Sequence, residues 1–505
     1  MSWIIWLAAI VAVVALASLF AIWSYGRFAR RARGRPSRRM ARTGRPTALD
    51  RELAPLEAAH PGRSAAATLF DNRDAFAARL ESVRRAGRSV DMLYYIWKDD
   101  LTGNLLAAAL IEAADRGVRV RLLLDDVNVL GFDPHYLDLN GHPMIEMRVF
   151  NPIRNRRGAI RRGIEMMLAM VRYNRRMHTK AWIVDGRVAI IGGRNIGDTY
   201  FEASRRRRKN SLDADLLVAG PVVQDSEVMF DTFWNSEMAL PVSALWQDHV
   251  ADLNRYRRRL AALRRHWRGA AYLAALPAPG VLPGLDRLRW CKSIRLVTDP
   301  PVKALGGERE SWMPVEVSRM MAVAEREVQM ITPYFVPGRE GMAELTGLTG
   351  RGVELRILTN SLAATDQIVV HGAYRRYRHA LLTAGVKLFE YAPRRPQRML
   401  HAKTILIDRR LGFIGSYNYD LRSAFLNTEA GILFEDAGLA EELADFFAAS
   451  TAPDSAYVVS TEGRWVRWDV EGDADARPIW YEPEAGSLRR GLSWMVGHLP
   501  IHSYL

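Results

Sequence analysis

The sequence predicts an α/β protein of two similar domains that pack with pseudo-two-fold symmetry, preceded by one transmembrane helix. Three observations support this prediction. A chain of 505 residues is too long for one ordinary core. Strand-like and helix-like stretches alternate after about Pro46. One passage of that alternation occurs twice, which indicates a tandem duplication.

The N-terminal segment, residues 1–25, is predicted to be a transmembrane anchor. Residues 3–23 are 21 consecutive positions without a charge, and at about 1.5 Å per residue they match a hydrocarbon layer of roughly 30 Å. Aromatic side chains that favour membrane interfaces lie near both ends: Trp3, Trp6, Trp23 and Tyr25. A cleaved secretory signal is the alternative, but Met1 and Ser2 lack the basic charge that such a signal carries ahead of its apolar stretch.

Residues 26–66 are predicted to be a basic juxtamembrane linker. Nine arginines lie between Arg27 and Arg45, and neither a lysine nor an acidic residue precedes Asp50. The positive-inside rule therefore keeps the rest of the chain in the cytoplasm, and the single Cys291 agrees with a reducing compartment. The formal net charge of +15 favours an anionic partner without choosing between nucleic acid and acidic lipid.

The first domain is predicted to span residues 67–250. Residues 89–96 have the composition of a strand, and residues 103–117 have the apolar spacing of a helix. Residues 118–124 are predicted to form a second, buried strand. A helix between two such strands is the usual crossover of a parallel pair.

The second domain, residues 291–455, repeats this passage. Residues 327–332 resemble the first strand, and residues 351–358 resemble residues 116–123. The repeated order strand, helix, strand predicts that both domains contain the same parallel unit.

Two further segments complete the predicted organisation. Residues 251–290 are predicted to be a helical connector, whose arginine-rich part is a solvated basic helix. Residues 456–505 form an aromatic-rich tail that either covers the core or rests on the membrane, and core packing is the preferred interpretation.

Each domain contains one histidine-x-lysine-x4-aspartate string ahead of a glycine-rich turn and an asparagine. The first copy comprises His178, Lys180, Asp185, Gly192, Gly193 and Asn195, and the second comprises His401, Lys403, Asp408, Gly415, Ser416 and Asn418. In a strand, residues i and i+2 point to the same face, so each histidine and its lysine can address one pocket. A lone string of this kind means little, whereas two complete copies favour a catalytic pair over a decayed pseudo-enzyme.

These residue types suit phosphodiester chemistry. A lysine can hold a non-bridging phosphate oxygen, and a small turn lets backbone N–H groups and an asparagine amide approach the same phosphate. Two such units facing each other would place imidazoles on opposite sides of phosphorus. One imidazole could then attack in line while the other protonates the leaving oxygen.

The paired strings resemble the hallmark motifs of the phospholipase D superfamily, from about Leu69 to the C-terminus. The resemblance implies two phospholipase D-like domains, each a mixed sheet flanked by helices. It also implies a double displacement: one histidine attacks phosphorus, a phosphohistidine holds the phosphatidyl group, and the other histidine protonates the departing alcohol and then activates the incoming one. The family pattern assigns the nucleophile to His178 and the acid/base role to His401.

Each imidazole needs an orienting partner that fixes its tautomer. Glu429, eleven residues beyond Asn418, matches the family acid that holds the second histidine. Asp213 is expected to be its counterpart in the first half, with Asp215 as a neighbouring alternative. Asp185 and Asp408 belong to the candidate set, although a local structural role is preferred for both.

No metal and no other cofactor are expected at this site. Two lysines supply the positive charge that a magnesium ion would otherwise bring. The eleven histidines of the chain form no HExxH or similar ligand string.

Three features favour a lipid substrate. The anchor confines the domains to a membrane surface, and residues 161–172 are a methionine-rich apolar stretch between basic ends, which is either an interfacial segment or a core helix of the first domain. Local strings also resemble the cardiolipin synthase branch of the superfamily, especially a single-anchor subgroup: residues 176–180, 192–201, 220–223, 415–423 and 426–429.

That resemblance implies transfer of a phosphatidyl group from phosphatidylglycerol or phosphatidylethanolamine to phosphatidylglycerol, which yields cardiolipin. The implied partners are these phospholipids and the membrane, and no nucleic acid is expected. The implied location is the bacterial inner membrane, with one span and a cytoplasmic catalytic domain. Two departures are visible: the branch often has two spans, and the basic insertion at residues 205–209 has no role derived from the sequence.

Three alternatives remain open at this stage. A hydrolytic phospholipase D would use water as the acceptor at the same site. A phosphodiesterase acting on nucleic acid would have a basic, aromatic-lined groove. A non-catalytic membrane scaffold would not need both motifs. Donor preference, oligomeric state and a protein partner are not predicted.

Overall fold

The computed structural model describes residues 2–129, 133–205, 210–246, 249–307, 309–310, 312–393, 397–470 and 478–498. Within them the helices are α1 (Ser2–Ala32), α2 (Ala48–Ala59), α3 (Asn72–Arg85), α4 (Leu101–Asp115), α5 (Asp133–Asn140), α6 (Ala159–Leu168), α7 (Met170–Tyr173), α8 (Val222–Trp234), α9 (Val242–Leu245), α10 (Leu253–Arg265), α11 (Trp267–Ala274), α12 (Met313–Ala322), α13 (Gly338–Gly350), α14 (Ile368–Thr383), α15 (Leu421–Phe425), α16 (Ala437–Thr451) and α17 (Ser487–His498). Short 3₁₀ turns cover Asp126–Asn128 and Pro301–Leu305.

The strands of the first half are β1 (Ala65–Leu69), β2 (Ser89–Tyr94), β3 (Arg119–Asp125), β4 (Ile145–Phe150), β5 (Ala181–Val184), β6 (Val188–Gly192), β7 (Asn210–Leu212), β8 (Asp215–Ala219), β9 (Ala239–Pro241) and β10 (Arg289–Trp290). Those of the second half are β11 (Ser293–Thr298), β12 (Glu327–Ile331), β13 (Glu354–Asn360), β14 (Lys387–Tyr391), β15 (Gln397–Leu400), β16 (Thr404–Ile407), β17 (Leu411–Gly415), β18 (Ala430–Glu435), β19 (Ala456–Glu462) and β20 (Trp465–Asp469).

Apart from β7 and β15, the described strands form two mixed sheets that share one internal order. The first sheet contains β1-β8-β6-β5-β2-β3-β4, and the second contains β11-β18-β17-β16-β12-β13-β14. In each sheet three strands are parallel and the next one is antiparallel to them. The predicted strand-helix-strand unit is present in both halves, with α4 and α13 as its crossover helices. The duplication seen in the sequence is therefore a duplication of fold.

One apolar core joins the two sheets. Buried side chains from both sheets belong to it, namely Leu93, Ile183, Leu216, Ile331, Leu406 and Ile432, together with aromatic residues of α8 and α16, namely Phe230, Trp234, Phe446 and Phe447. The opposite face of the first sheet packs beneath α3 and α4, and that of the second beneath α12, α13 and α14. Because the halves share buried surface, their facing edges are held together.

The segments around the two domains differ in detail from their predicted bounds. Helix α1 continues past residue 25 to Ala32, and it is long and apolar enough to cross a membrane. The predicted linker contains α2 and the start of β1. The predicted connector is helical through α10 and α11 but ends in strand β10. The start of the predicted tail forms β19 and β20, which extend the second sheet at its edge.

The methionine-rich stretch forms α6 and α7. Neither helix has a buried residue among its described side chains, so the interpretation of this stretch as a core helix is wrong. Of the basic insertion, Arg205 is described and exposed, while residues 206–209 lie outside the described residues, as do residues 499–505 of the tail.

Candidate active site

Both histidines lie at the edge where the parallel strands of their sheet end. His178 precedes β5, whose first residue pairs with Leu93 near the end of β2. His401 lies between β15 and β16, and the first residue of β16 pairs with Ile331 at the end of β12. The two motifs therefore occupy the same topological position in their two sheets, and the sheets face each other.

Backbone pairing between the halves brings the two motifs together. The N–H of His178 donates to the carbonyl of Thr428 at 2.9 Å, and the N–H of His401 donates to the carbonyl of Leu212 at 2.8 Å. The second contact continues a two-stranded parallel pairing of β7 with β15. Thr428 directly precedes Glu429, and Leu212 directly precedes Asp213. Each histidine is therefore aligned with the residue just before an acid of the other half.

The carboxylates are exchanged between the halves. His178 Nδ1 lies 2.8 Å from Glu429 Oε2, and His401 Nδ1 lies 2.6 Å from Asp213 Oδ2. The expectation that Asp213 holds His178 and Glu429 holds His401 is wrong. Its physical reason is the strand pairing just described, which places each acid beside the opposite histidine. Because each Nδ1 donates to a carboxylate, each Nε2 is left to act.

Burial dominates the electrostatics of the imidazoles. It lowers the pKa of His178 to about 4, against the opposing effect of Glu429, and Lys180 and Lys403 lower it further. The pKa of His401 is lowered by burial and by Lys403, with Lys180 adding to the effect across the site. Each histidine therefore responds to the lysines of both halves, as expected of one shared pocket.

The lysines are buried beside their histidines. Lys180 Nζ donates to the carbonyl of His178 at 2.5 Å, and Lys403 Nζ donates to the carbonyl of His401. Burial lowers the pKa of Lys403 to about 8 and that of Lys180 well below its ordinary value. Two ammonium groups with reduced hydration form a strong attractor for an anionic phosphate.

Glu429 is held by two serine hydroxyls in addition to His178. Ser416 Oγ donates to it at 2.5 Å and Ser423 Oγ at 2.8 Å. Burial alone would raise the pKa of Glu429, but His178, Lys180 and the hydroxyl of Ser416 hold it below its usual value. Ser423 was not among the predicted residues. A repeated spacing in the sequence could have indicated it. Asn418 contacts Ser423, five residues later, just as Asn195 contacts Tyr200, five residues later.

Asp213 is supported differently. The N–H of Ala214 donates to its Oδ1 at 2.9 Å, and a Cβ built on Gly193 would lie 2.3 Å from the same oxygen. His401 and Lys403 lower the pKa of Asp213 against the effect of burial. The alternative acid, Asp215, pairs instead with Arg79 at 2.8 Å and with Arg194 at 3.3 Å, so it is a structural residue.

The two asparagines shape the turns that carry them. Asn195 Oδ1 accepts from the N–H of Ile96 at 3.2 Å, and its amide nitrogen donates to Tyr200 at 3.1 Å. Asn418 Nδ2 donates to Ser423 at 3.4 Å, while its Oδ1 is buried without a hydrogen bond to any described residue.

Asp185 and Asp408 lie at the far ends of their strands from the histidines. Asp185 accepts the backbone N–H groups of residues 87–89, and Asp408 accepts those of residues 325–327. Both have positive φ values, 53° and 52°. Each one ties a turn to the start of a neighbouring strand, and among the described residues no hydrogen bond joins either of them to Lys180 or Lys403, which supports the local structural role preferred for both.

Two tyrosines that sequence reasoning missed line the histidines. The ring of Tyr95 stands edge-on to His178 with 5.0 Å between centroids, and Tyr200 stands edge-on to His401 at 5.2 Å. The aromatic rings cover apolar parts of the imidazoles and limit their rotation. Tyr200 lies five residues after Asn195, as Ser423 lies five residues after Asn418, whereas no repeated position separates Tyr95 from a core residue.

Among the described residues, one group of side chains is close enough to hold a metal ion, namely His371, Glu390 and Glu482. Arg378 already pairs with Glu390 at 2.8 Å and with Glu482 at 3.0 Å. Its charge takes the place that a cation would occupy. This group lies outside the histidine pair and has no part in the chemistry considered below.

A family model described as cardiolipin synthase, PLD-like domain, matches residues 80–234 and 317–450. Over 484 residues the chain is 39% identical to cardiolipin synthase C of Escherichia coli (strain K12). The matched region covers 89% of this chain and 98% of that protein. It is 27% identical over 384 residues to cardiolipin synthase 2 of Bacillus anthracis, covering 75% of this chain and 63% of that relative.

A solved structure gives the same fold. Phosphatidylserine synthase of Haemophilus influenzae Rd KW20 superposes with a TM-score of 0.56 over 81% of this chain and 91% of that one, at 14% sequence identity. At this identity the likeness concerns the fold alone.

Proposed function

The chain belongs to the family of cardiolipin synthases with phospholipase D-like domains, and we propose that it transfers a phosphatidyl group from phosphatidylglycerol or phosphatidylethanolamine to phosphatidylglycerol. The observation that carries the proposal is the shared pocket, in which each imidazole is held by a carboxylate of the opposite half. That arrangement suits two-step transfer at one phosphorus, with an acid and a nucleophile already separated.

In the first step, Nε2 of His178 attacks phosphorus, and the bond between phosphorus and the head-group oxygen breaks. His401 gives its Nε2 proton to that oxygen, so glycerol or ethanolamine leaves with a free hydroxyl group and not as an alkoxide. The phosphatidyl group remains on His178 as a phosphohistidine. The buried ammonium groups of Lys180 and Lys403 offset the charge on the non-bridging oxygens.

In the second step, a free hydroxyl of phosphatidylglycerol gives its proton to His401 and attacks phosphorus from the side that the first alcohol left. The bond between phosphorus and His178 breaks, and cardiolipin leaves. The enzyme returns to its starting protonation state, so every proton is accounted for. No metal and no other cofactor take part in this scheme.

The division of roles follows from the two carboxylates. Glu429 shares its charge among His178 and two serine hydroxyls, so it supports a protonated His178 weakly. Asp213 makes a 2.6 Å bond to His401 and is directed mainly at it, so it opposes the effect of burial there and favours the protonated form of His401 over that of His178. A neutral His178 suits nucleophilic attack, and a protonated His401 suits the acid. The site candidates for catalysis are therefore His178, Lys180, Asp213, His401, Lys403 and Glu429, with Asn195, Ser416 and Asn418 as positioning residues.

Purified full-length protein given phosphatidylglycerol in mixed micelles tests the proposal. We expect cardiolipin together with free glycerol, and either variant His178→Ala or His401→Ala should abolish turnover. Phosphatidic acid as the only product would instead indicate a hydrolytic phospholipase D. Full activity in either histidine variant would reject the mechanism. Parallel assays with labelled phosphatidylethanolamine give the donor preference.

We also propose a single span in the bacterial inner membrane with the catalytic domain in the cytoplasm. The apolar helix α1 and the arginines between Arg27 and Arg45 support this orientation. A green fluorescent protein fused to the C-terminus should fluoresce, whereas alkaline phosphatase fused there should be inactive. The reverse result would place the catalytic domain on the other side.

A further inference from the structure

The C-terminal end of α1 packs on the first domain. The guanidinium of Arg172 stacks 3.5 Å from the ring centre of Tyr25, and that of Arg154 lies 5.1 Å from the ring centre of Phe28. Ala29 is buried, while the large apolar side chains from Trp3 to Trp23 are exposed. If α1 spans the bilayer, residues 25–28 mark the depth of the membrane interface.

The chain after α1 fixes this arrangement. Buried Arg148 donates to the carbonyl of Arg35 at 2.6 Å, and buried Arg121 donates to Ser37 Oγ at 3.0 Å. The N–H of Arg39 donates to Asp231 at 2.8 Å. The juxtamembrane segment is thus bound along the first domain, so the domain has one orientation relative to the anchor and the bilayer.

That orientation puts α6 and α7 at the interface, because α6 packs against α1. Their apolar side chains project from the protein surface: Ile160 is 80% exposed, Met167 64% and Val171 72%. Exposed apolar side chains on a short helix with basic residues at its start are typical of segments that enter the outer part of a leaflet.

A basic cavity of about 350 Å³ lies beside this segment. Its wall includes Phe28 of α1, Arg154, Arg156, Arg157, Arg161 of α6, and Trp246. Asp126 pairs with Arg156, and Glu165 accepts backbone N–H groups of residues 154 and 155. Within the described residues, no carboxylate pairs with the guanidinium of Arg154 or Arg161.

The first turn of α6 adds to the attraction for an anion. Gly158 precedes it and offers no side-chain acceptor to the first N–H groups of the helix. Arginine guanidinium groups match phosphate oxygens in geometry and charge. The apolar part of the lining, which includes Phe28 of the anchor helix, Leu245 and Trp246, suits a ligand whose phosphate continues into acyl chains.

We propose that this cavity binds the phosphate head group of an anionic phospholipid of the surrounding leaflet, while the apolar side chains of α6 and α7 enter that leaflet. The inference rests on the membrane anchorage included in the proposed function. It assigns a lipid site separate from the histidine pair. Since α7 ends at Tyr173, five residues before His178, the bound lipid would hold the segment that leads to His178 against the membrane.

Native mass spectrometry of the detergent-purified full chain tests the head-group site. The probes are phosphatidylglycerol, phosphatidylcholine and inorganic phosphate, added separately and in competition. Arg154→Glu with Arg161→Glu should weaken retention of phosphatidylglycerol roughly tenfold or more and leave phosphatidylcholine unchanged. The matched control is Arg258→Glu with Arg265→Glu on α10, which changes the net charge equally on exposed residues of another helix.

Equal retention of the two lipids, or an equal effect of the control pair, would overturn the proposal. Inorganic phosphate that displaces the lipid at similar concentration would also overturn it, because the site would then be one for free phosphate. Cardiolipin formation from a short-chain, micellar substrate is measured in parallel. If cardiolipin is formed while Arg154→Glu with Arg161→Glu leaves lipid retention unchanged, the proposed lipid site is rejected and the proposed function stands.

The insertion of α6 is tested in vesicles containing phosphatidylglycerol. An environment-sensitive fluorophore on Met167→Cys should be quenched by lipids that carry a nitroxide on the upper acyl chain. Val323→Cys is the control, since Val323 is exposed and lies near the start of β12, at the end of the sheet opposite His401. The native Cys291 is buried. Equal quenching at both positions, or cross-links from position 167 to a second copy, would contradict insertion.

Discussion

The exchange of carboxylates between the halves makes a specific kinetic prediction. Asp213→Asn should impair the step that needs an acid, because Asp213 supports His401. Glu429→Gln should impair attack on phosphorus, because Glu429 orients His178. Both substitutions keep the size of the side chain and remove its charge, so the fold should be retained.

The size of each effect follows from the bond that is lost. Each carboxylate is buried and makes one charge-assisted hydrogen bond to an imidazole, at 2.8 Å for Glu429 and 2.6 Å for Asp213. Such bonds contribute about 1.5–3 kcal/mol, which corresponds to about 10- to 150-fold in rate. Glu429→Gln also replaces an acceptor of two serine hydroxyls, so its effect should lie toward the upper end.

A substrate with a good leaving group separates the two effects. Release of p-nitrophenol from phosphatidyl-p-nitrophenol needs little protonation, so the first turnover of Asp213→Asn should be close to that of the parent protein. Glu429→Gln should remain slow with this substrate. With phosphatidylglycerol as donor, both variants should be slow. Stopped-flow absorbance gives the first turnover, and lipid chromatography gives the steady-state rate.

The opposite pattern, with Glu429→Gln rescued and Asp213→Asn slow, would exchange the roles of the two histidines. Equal rescue of both variants, or of neither, would refute the reasoning that each acid acts through one imidazole. Circular dichroism and the melting temperature of each variant serve as controls for folding.

Three further predictions follow from the site. The pH profile of kcat/KM should fall below about pH 4, where His178 takes up a proton and cannot attack. On the alkaline side it should fall first as His401, whose pKa is lowered by burial, loses the proton that it must donate, and again above about pH 8, where Lys403 loses its charge. A second alkaline step that persists unchanged in Lys403→Arg would contradict its assignment to Lys403. Asp185→Asn should lower the free energy of unfolding, measured by chemical denaturation, by about 1–3 kcal/mol, because it weakens three backbone contacts. The value of kcat/KM per folded molecule should stay unchanged, and a large loss of kcat/KM would place Asp185 in the catalytic set. Gly193→Ala should reduce turnover of phosphatidylglycerol by roughly tenfold or more, because its Cβ would displace the Asp213 carboxylate; full turnover would show that this carboxylate has room to move.

Much of the fold could be predicted because the two halves repeat local patterns. The strand predicted over residues 89–96 is β2, and the helix predicted over residues 103–117 is α4, bounded by Asp100 as its N-cap. Apolar periodicity and capping residues are local signals. The paired motifs were also recognisable, because their spacing survives in both copies.

The carboxylate exchange could not be predicted from those signals. It depends on contacts between residues 251 and 188 positions apart in the chain, whereas the expectation from the resemblance pairs each acid with the histidine of its own half. The course of the juxtamembrane segment was missed for a related reason. Its arginines indicate a solvated linker, whereas the backbone of Arg35 and Ser37 is bound by Arg148 and Arg121 from the first sheet.

Duplication alone would give two equivalent histidines, yet double displacement needs two different ones. The difference arises around the histidines, since the motifs themselves are nearly identical. In one copy the turn carries Ser416, whose hydroxyl reaches Glu429. In the other it carries Gly193, where the Asp213 carboxylate occupies the space of a side chain. One acid is therefore shared among several donors, and the other is directed mainly at its histidine. Under the proposed mechanism, this serine-to-glycine difference is expected to bias which imidazole carries the proton, so the turn after each motif, more than the motif itself, would assign the two catalytic roles.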